Sequence, residues 1–259
     1  MSLQLDARQR AMLEEMGVRL FLPAPTLEPP RPAAAPAVRR QPSPVVASPD
    51  PAPLPVVRAP VPASSATGPG VEMMEWDALA RTVVACRACQ LCEGRREPLL
   101  GGGDLQADWL IVGEPPNEDE DRAGQPFTGD GGKLLDNMLR ALGLTRRDRV
   151  YLANVIKCRP GGNGAAGPEE VAHCEAFLRR QVELLKPRVI LAMGRLAMQT
   201  LLASSEPLGK LRGRAYAYQG VPVIATYHPV YLLRNPADKA RAWADLCLAQ
   251  AIVRGEVPA

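Results

Sequence analysis

Residues Trp109 to Gly129 read WLIVGEPPNEDEDRAGQPFTG: four consecutive apolar residues, a glycine, then a loop with five carboxylates between Glu114 and Asp121. A short unbroken apolar run that ends at glycine predicts a strand buried on both faces, the pattern of a parallel sheet. Three more runs share this character, VYLANVIK (150–157), VILAMG (189–194) and VPVIATYH (221–228). Between them GGKLLDNMLRALG (131–143), PEEVAHCEAFLRRQVELL (168–185) and RLAMQTLLAS (195–204) place apolar residues at helical spacing. A last helix is expected over about 237–253. Strand and helix in alternation predict an α/β fold, a parallel sheet covered on both faces, with ligands at the carboxyl ends of its strands. RAYAYQGVPVIA (214–225) has a glycine turn between two strand-like runs, so an antiparallel edge is also expected.

Outside that region the chain changes character. Of its 259 residues 46% are hydrophobic, which suits a globular protein, but 27 are proline and more than half of these lie between Pro23 and Pro69. Such a segment cannot build a ladder or a helix and reads as an extended, disordered linker. Before it, LDARQRAMLEEMGVRL (5–20) sets Leu5, Met12, Leu13 and Met16 at helical spacing with Gly17 as a stop. The expected organisation is a short amphipathic helix over 1–22, a linker over 23–70 and a folded domain over 71–255. The net charge of +3 is compatible with a polyanionic partner without demanding one. No run approaches the roughly 18 apolar residues of a membrane span, and the first residues lack a signal-peptide core. The expectation is a cytoplasmic monomer with no membrane partner.

Three polar features fall where strands end. Glu114 follows the first strand, Asn154 sits in the second, and His228 ends the fourth beside Pro229. Charge clusters in loops are commonly solvated, and the spacing lacks the pattern of a calcium-binding hand loop. Phe127, between Pro126 and Thr128 in a glycine-bounded loop, is either a core anchor or an aromatic face able to stack a planar ring. Asn154 offers a donor and an acceptor to an amide-like edge, or is a buried amide satisfied by backbone. His228 is a structural histidine or a donor to developing negative charge; His173, inside a helix, reads as structural. Six cysteines, with Cys86 and Cys89 in a C-x-x-C, favour thiolate ligands over a disulfide framework. Together with Cys158 and Cys174 they could hold zinc or an iron–sulfur cluster, and spacing does not choose. Cys92 makes a second C-x-x-C with Cys89, while Cys247 reads as core.

From about Val83 to Leu248 these motifs, in this order, resemble the family 4 uracil-DNA glycosylases. GEPP at 113, ED at 120 and GQPFTG at 124 correspond to the family's first motif. Cys86, Cys89, Cys158 and Cys174, with Leu91 and Arg95, match its cysteine framework, and NVIKCRP at 154 and TYHPVYLLRNP at 226 match the rest. The resemblance implies a three-layer α/β/α fold with a central, mainly parallel four-stranded sheet and a 4Fe-4S cluster on the four cysteines. It implies a hydrolase acting on uracil in single-stranded or mispaired DNA, where flipping a base out costs least. Phe127 would stack the flipped ring and Asn154 would read its Watson–Crick edge, with Gly113 lining the same pocket. Glu114, with Glu120 as a second candidate, would face the cationic sugar, and His228 would stabilise the departing uracil anion. Leu232, Leu233 and Arg234 would meet DNA, the leucines as a wedge, and Arg87, Arg95 and Arg159 would contact it near the cluster.

The chain departs from the family at Pro115, which removes a backbone donor, and at Asn117, which replaces a glycine. A noncatalytic nucleic-acid-binding or replication accessory protein that keeps the fold and cluster is the alternative these departures leave open. The N-terminal 70 residues lie outside the resemblance, and a helix on a proline-rich tether fits a docking element for a protein partner.

Overall fold

The computed structural model describes residues 70–161 and 166–257. The helix expected over 1–22, and all but the last residue of the linker expected over 23–70, lie outside the described residues.

Six strands form one sheet: β1 (Gly102–Gly103), β2 (Trp109–Gly113), β3 (Val150–Asn154), β4 (Val189–Met193), β5 (Ala215–Tyr218) and β6 (Val221–Thr226), in the order β1-β3-β2-β4-β6-β5. The inner four, β3, β2, β4 and β6, run parallel and are the four strands expected from sequence. Antiparallel β1 and β5 close the two edges, so the four-stranded expectation is corrected to six strands. The β5–β6 hairpin turns through Gln219 (φ 50) and Gly220 (φ 79). Two consecutive positive φ values make the turn whose twist matches paired strands. β1 carried no apolar pattern to read. It pairs because Gly103 (φ 138) lets the backbone approach where a Cβ would overlap the Val150 carbonyl.

Nine α-helices occur among the described residues: α1 (Trp76–Ala85), α2 (Leu91–Gly94), α3 (Glu118–Ala123), α4 (Gly129–Ala141), α5 (Pro168–Leu185), α6 (Arg195–Leu202), α7 (Leu208–Leu211), α8 (Pro229–Arg234) and α9 (Lys239–Arg254). None is long and apolar enough to cross a membrane. Side chains of the inner strands alternate between two cores, as strand geometry requires. Trp109, Ile111, Leu191 and Ile224 pack with Leu135 and Met138 of α4 and Trp243 and Leu246 of α9. Leu110, Val112, Ile190 and Val223 pack with Leu178 of α5 and Met198 and Leu201 of α6. The result is helix, sheet, helix. At about 1.5–3 kcal/mol per fully buried aliphatic side chain, these layers far outweigh a helix cap worth about 1 kcal/mol. Loop chemistry at the strand ends can therefore vary without unfolding the sheet.

The topology also selects the site. From β2 the chain goes to β3 on one side, then crosses to β4 on the other. That reversal leaves a crevice at the carboxyl ends of β2 and β4, where ligands bind in open α/β sheets.

Candidate active site

β2 and β3 end side by side, with Gly113 in register with Asn154 and the Val155 amide donating to the Gly113 carbonyl at 3.0 Å. Glu114 comes next and reaches across the crevice. Its Oε1 accepts the Leu196 amide at 2.8 Å, at the start of α6. Burial pushes the Glu114 carboxyl above its ordinary range, against the amides of Leu196, Ala197 and Arg195 and the charge of Arg195. Gly194 makes this contact available: its φ is 106, and a Cβ there would overlap the Glu114 carboxylate. Sequence reading took Gly194 as the end of a strand. A glycine between strand and helix was the available signal of close approach.

The acidic loop divides into exposed and buried halves. Glu118 and Asp119 are exposed and pair with Arg122 at 3.0 and 3.4 Å. Asp121 is buried and accepts the Arg96 amide at 3.2 Å, tying α3 to the segment after the first cysteines. Asn117 caps α3 reciprocally: its Oδ1 accepts the Glu120 amide at 3.0 Å, and Glu120 Oε2 accepts the Asn117 amide at 2.9 Å. With φ −87, position 117 has no need of glycine. Asn117 thus supplies a cap that glycine lacks. Glu120 Oε1 accepts the Phe127 amide, so both oxygens of this buried carboxylate hold the loop. Burial raises the Glu120 pKa, opposed by the two amides, Asn154 and Arg146.

Phe127 is 2% exposed and adopts φ 53, an uncommon conformation for a non-glycine residue. A Cβ on Gly113 would lie 2.6 Å from Phe127 Cζ, and one on Gly132 would overlap its carbonyl. Arg146, which sequence reading did not single out, donates to the Phe127 carbonyl at 2.6 Å and the Pro126 carbonyl at 3.1 Å. The ring stacks on His228 with centroids 5.4 Å apart and planes 17° from parallel.

His228 caps α8 by accepting the Val230 amide on Nδ1 at 3.3 Å. Burial lowers its pKa to about 4, so at neutral pH the ring is uncharged and its proton sits on Nε2. Asn154 is 1% exposed and its Nδ2 donates to the Glu114 carbonyl at 2.6 Å. Its Oδ1 is buried with no partner. A buried orphan acceptor costs about 1–3 kcal/mol. Gly113, Glu114, Glu120, Phe127, Asn154 and His228 are thus connected through direct contacts or strand register. The residues after His228 separate. α8 turns Leu232 into the core at 0% exposure, while Leu233 is 42% and Tyr231 41% exposed and Arg234 is also exposed. Leu232 is therefore unavailable as a wedge, because helical phase commits it to packing under the sheet edge.

The cysteines come from α1's end (Cys86), the turn entering α2 (Cys89), the residue four past β3 (Cys158) and α5 (Cys174). All six cysteines are unbridged. Among the described residues, no three His, Cys, Asp or Glu side chains converge as a single-ion site. The four thiols still act on one another's charge: Cys158 senses Cys89 and Cys86, and Cys174 senses Cys158 and Cys89. Burial pushes Cys89 and Cys158 up and Cys174 up to about 12. Arg95 donates to Cys158 Sγ at 2.7 Å and to the Cys86 carbonyl at 2.8 Å. Its guanidinium is thus engaged with the thiol site. A soft four-thiol set with a cation beside it fits a thiolate-bound inorganic centre.

Known proteins resemble this chain over most of its described residues. The profile of the Uracil DNA glycosylase superfamily matches residues 100–247. The type-4 uracil-DNA glycosylase of Thermotoga maritima is 41% identical over 172 residues, covering 66% of this chain and 88% of that protein. That of Archaeoglobus fulgidus is 39% identical over 172 residues, covering 63% and 86%. A type-5 uracil-DNA glycosylase of Thermus thermophilus is 31% identical over 161 residues, covering 50% and 73%. The chain belongs to the uracil-DNA glycosylase superfamily, in its type-4 branch.

Proposed function

We propose that this protein is a uracil-DNA glycosylase that hydrolyses the N-glycosidic bond of a uracil flipped out of single-stranded or mispaired DNA, opening base-excision repair. The single observation that carries the residue assignment is the orphaned Oδ1 of Asn154, buried at the carboxyl end of β3. Uracil N3–H is the donor that satisfies it, and Asn154 Nδ2 meets uracil O4 by turning to it the hydrogen that otherwise faces the Glu120 carboxylate. Cytosine presents an acceptor and a donor in those places and is rejected. Phe127, held by Glu120, Arg146 and the bare Cα of Gly113, supplies the stacking face.

As the bond breaks, positive charge grows on the sugar and negative charge on the base. Glu114 is the carboxylate that offsets the first and orients water. Neutral His228 donates its Nε2–H to the uracil oxygen and offsets the second while keeping that proton. Glu120 acts through Phe127 and the α3 cap, since both its oxygens are engaged. Leu233 and Arg234 face the DNA.

Cys86, Cys89, Cys158 and Cys174 are the proposed ligands of a 4Fe-4S cluster, with Cys92 outside the set. When bound, the cluster crosslinks four chain segments that meet beside Asn154 and α3. The thiols must lose protons to bind it, so loading is favoured as pH rises. A cytoplasmic monomer, with the N-terminal 70 residues docking another protein, completes the proposal.

The deciding experiment incubates purified protein with a uracil-containing oligonucleotide and cleaves abasic sites with alkali. Scission is expected for the wild type and lost in Glu114→Ala; equal scission in both would overturn the enzyme assignment. Iron analysis with visible absorbance tests the cluster, and zinc without iron would overturn it.

A further inference from the structure

One aromatic surface is left unused by the proposed chemistry. Tyr231, one turn after His228 on α8, is 41% exposed and stacks on Tyr227 with centroids 5.0 Å apart and planes 8° from parallel. Tyr227 in turn has the Arg212 guanidinium 5.0 Å from its ring centre. Arg212 is fixed from below by the buried Asp245, at 2.8 Å, which also accepts the Thr226 hydroxyl at 2.8 Å. Both phenols are tethered as well. The Tyr231 hydroxyl donates to Asp238 at 2.9 Å, and Arg241 bonds both Asp238, at 2.9 Å, and Tyr227.

We propose that Tyr231 is a preorganised stacking platform for the unpaired base that neighbours the uracil in single-stranded DNA; this rests on the glycosylase assignment of the same site. An exposed ring fixed by a stack and a hydroxyl tether loses little freedom when a second flat ring settles on it. His228 is the N-cap of α8 and Tyr231 the third residue of its first turn, a rise of about 4.5 Å, close to the ~3.4 Å step between adjacent bases along one strand. Exposed Arg234 and Arg241 flank the ring and complement a phosphate backbone. Stacking is tolerant of base identity, because every base has a π face. The platform therefore favours unpaired DNA without adding sequence preference.

The test measures binding of the full chain to a uracil-free single-stranded oligonucleotide, then turnover on the same sequence with one uracil flanked by 2-aminopurine. Tyr231→Ala is expected to weaken single-strand binding about tenfold, raise KM by a similar factor and leave kcat within about twofold. Tyr231→Leu keeps apolar bulk without a π face and is expected to match Ala; Tyr231→Trp is expected to bind at least as tightly as wild type. Quenching of 2-aminopurine should be present in wild type and Trp and absent in Ala and Leu. Wild-type single-strand affinity in both Ala and Leu, or full rescue by Leu, would overturn the platform; the Leu result would show that apolar bulk against the base, not a π face, carries the binding. Because the binding arm contains no uracil, it tests the platform even if no uracil is released, which separates this inference from the glycosylase assignment.

Discussion

Phe127 and His228 lie face to face with ring centres 5.4 Å apart, so the ring assigned to the face of the leaving base and the ring assigned to its oxygen touch each other. A base can stack on Phe127 and offer its oxygen to His228 Nε2 only if the imidazole leaves the face of the phenyl ring that it now covers. Base entry must therefore part them. Phe127 is pinned by Gly113, Gly132, Glu120 and Arg146. His228 sits at the start of a six-residue helix, α8, and is the side expected to give way.

Crowding the pinned side should be costly. Gly113→Ala places a methyl 2.6 Å from Phe127 Cζ, and overpacking of this kind costs about 1–3 kcal/mol. Thermal melts should register that loss. Single-turnover kcat/KM is expected to fall at least about tenfold, and an unchanged value would remove Phe127 from the chemistry.

Asn154→Ala should separate function from stability. The substitution deletes two base-reading hydrogen bonds, each worth about 1.5 kcal/mol, so kcat/KM is expected to drop about 100-fold or more. It also deletes an acceptor that is now buried without a partner. Stability should change by only about 1–2 kcal/mol, because the removed penalty offsets part of the cavity; urea titration measures it.

The pH profile should show one acid limb, owned by Glu114. Its pKa is raised above 4.5 by burial, while that of His228 is lowered to about 4. As pH falls Glu114 takes its proton first and His228 is still neutral. His228→Asn should lower the rate throughout yet retain the limb, and a limb that vanishes with His228 would reverse the assignment. Stability, unlike rate, reports on His228. Its depressed folded pKa means its contribution is whole above about 6.5 and is lost as pH falls toward 4, a slope that His228→Asn should remove.

Two arginines should fail differently. Arg95→Met removes the donor to Cys158 Sγ and is expected to lower iron content and melting temperature while leaving the salt dependence of DNA binding intact. Arg234→Ala should keep iron and reduce the salt slope by about one. Identical behaviour of the two variants in both measurements would place Arg95 on DNA after all.

Asn117→Ala should cost about 1 kcal/mol of stability and Asn117→Gly only a few tenths, read from urea midpoints. Activity close to wild type in Asn117→Gly would show that the departure from the family's glycine is a capping choice.

By itself the sequence determined the inner architecture and the inventory of chemistry. The apolar runs at 109, 150, 189 and 221 read as doubly buried strands, since polar residues enter them only toward their carboxyl ends, and the order of GEPP, NVIKCRP and TYHP named the family. Tertiary structure decided what depends on approach between distant segments. Gly194 meets Glu114 across 80 residues of chain, a contact created by the crossover from β3 to β4. Leu232 and Leu233 are chemically alike, yet helical phase buries one and exposes the other. Arg95 meets a buried thiol 63 residues away, a partner that no local pattern announces. Periodicity is a local property and survives in one dimension; burial, orphaned acceptors and shared carboxylates arise only when the sheet brings its strand ends together.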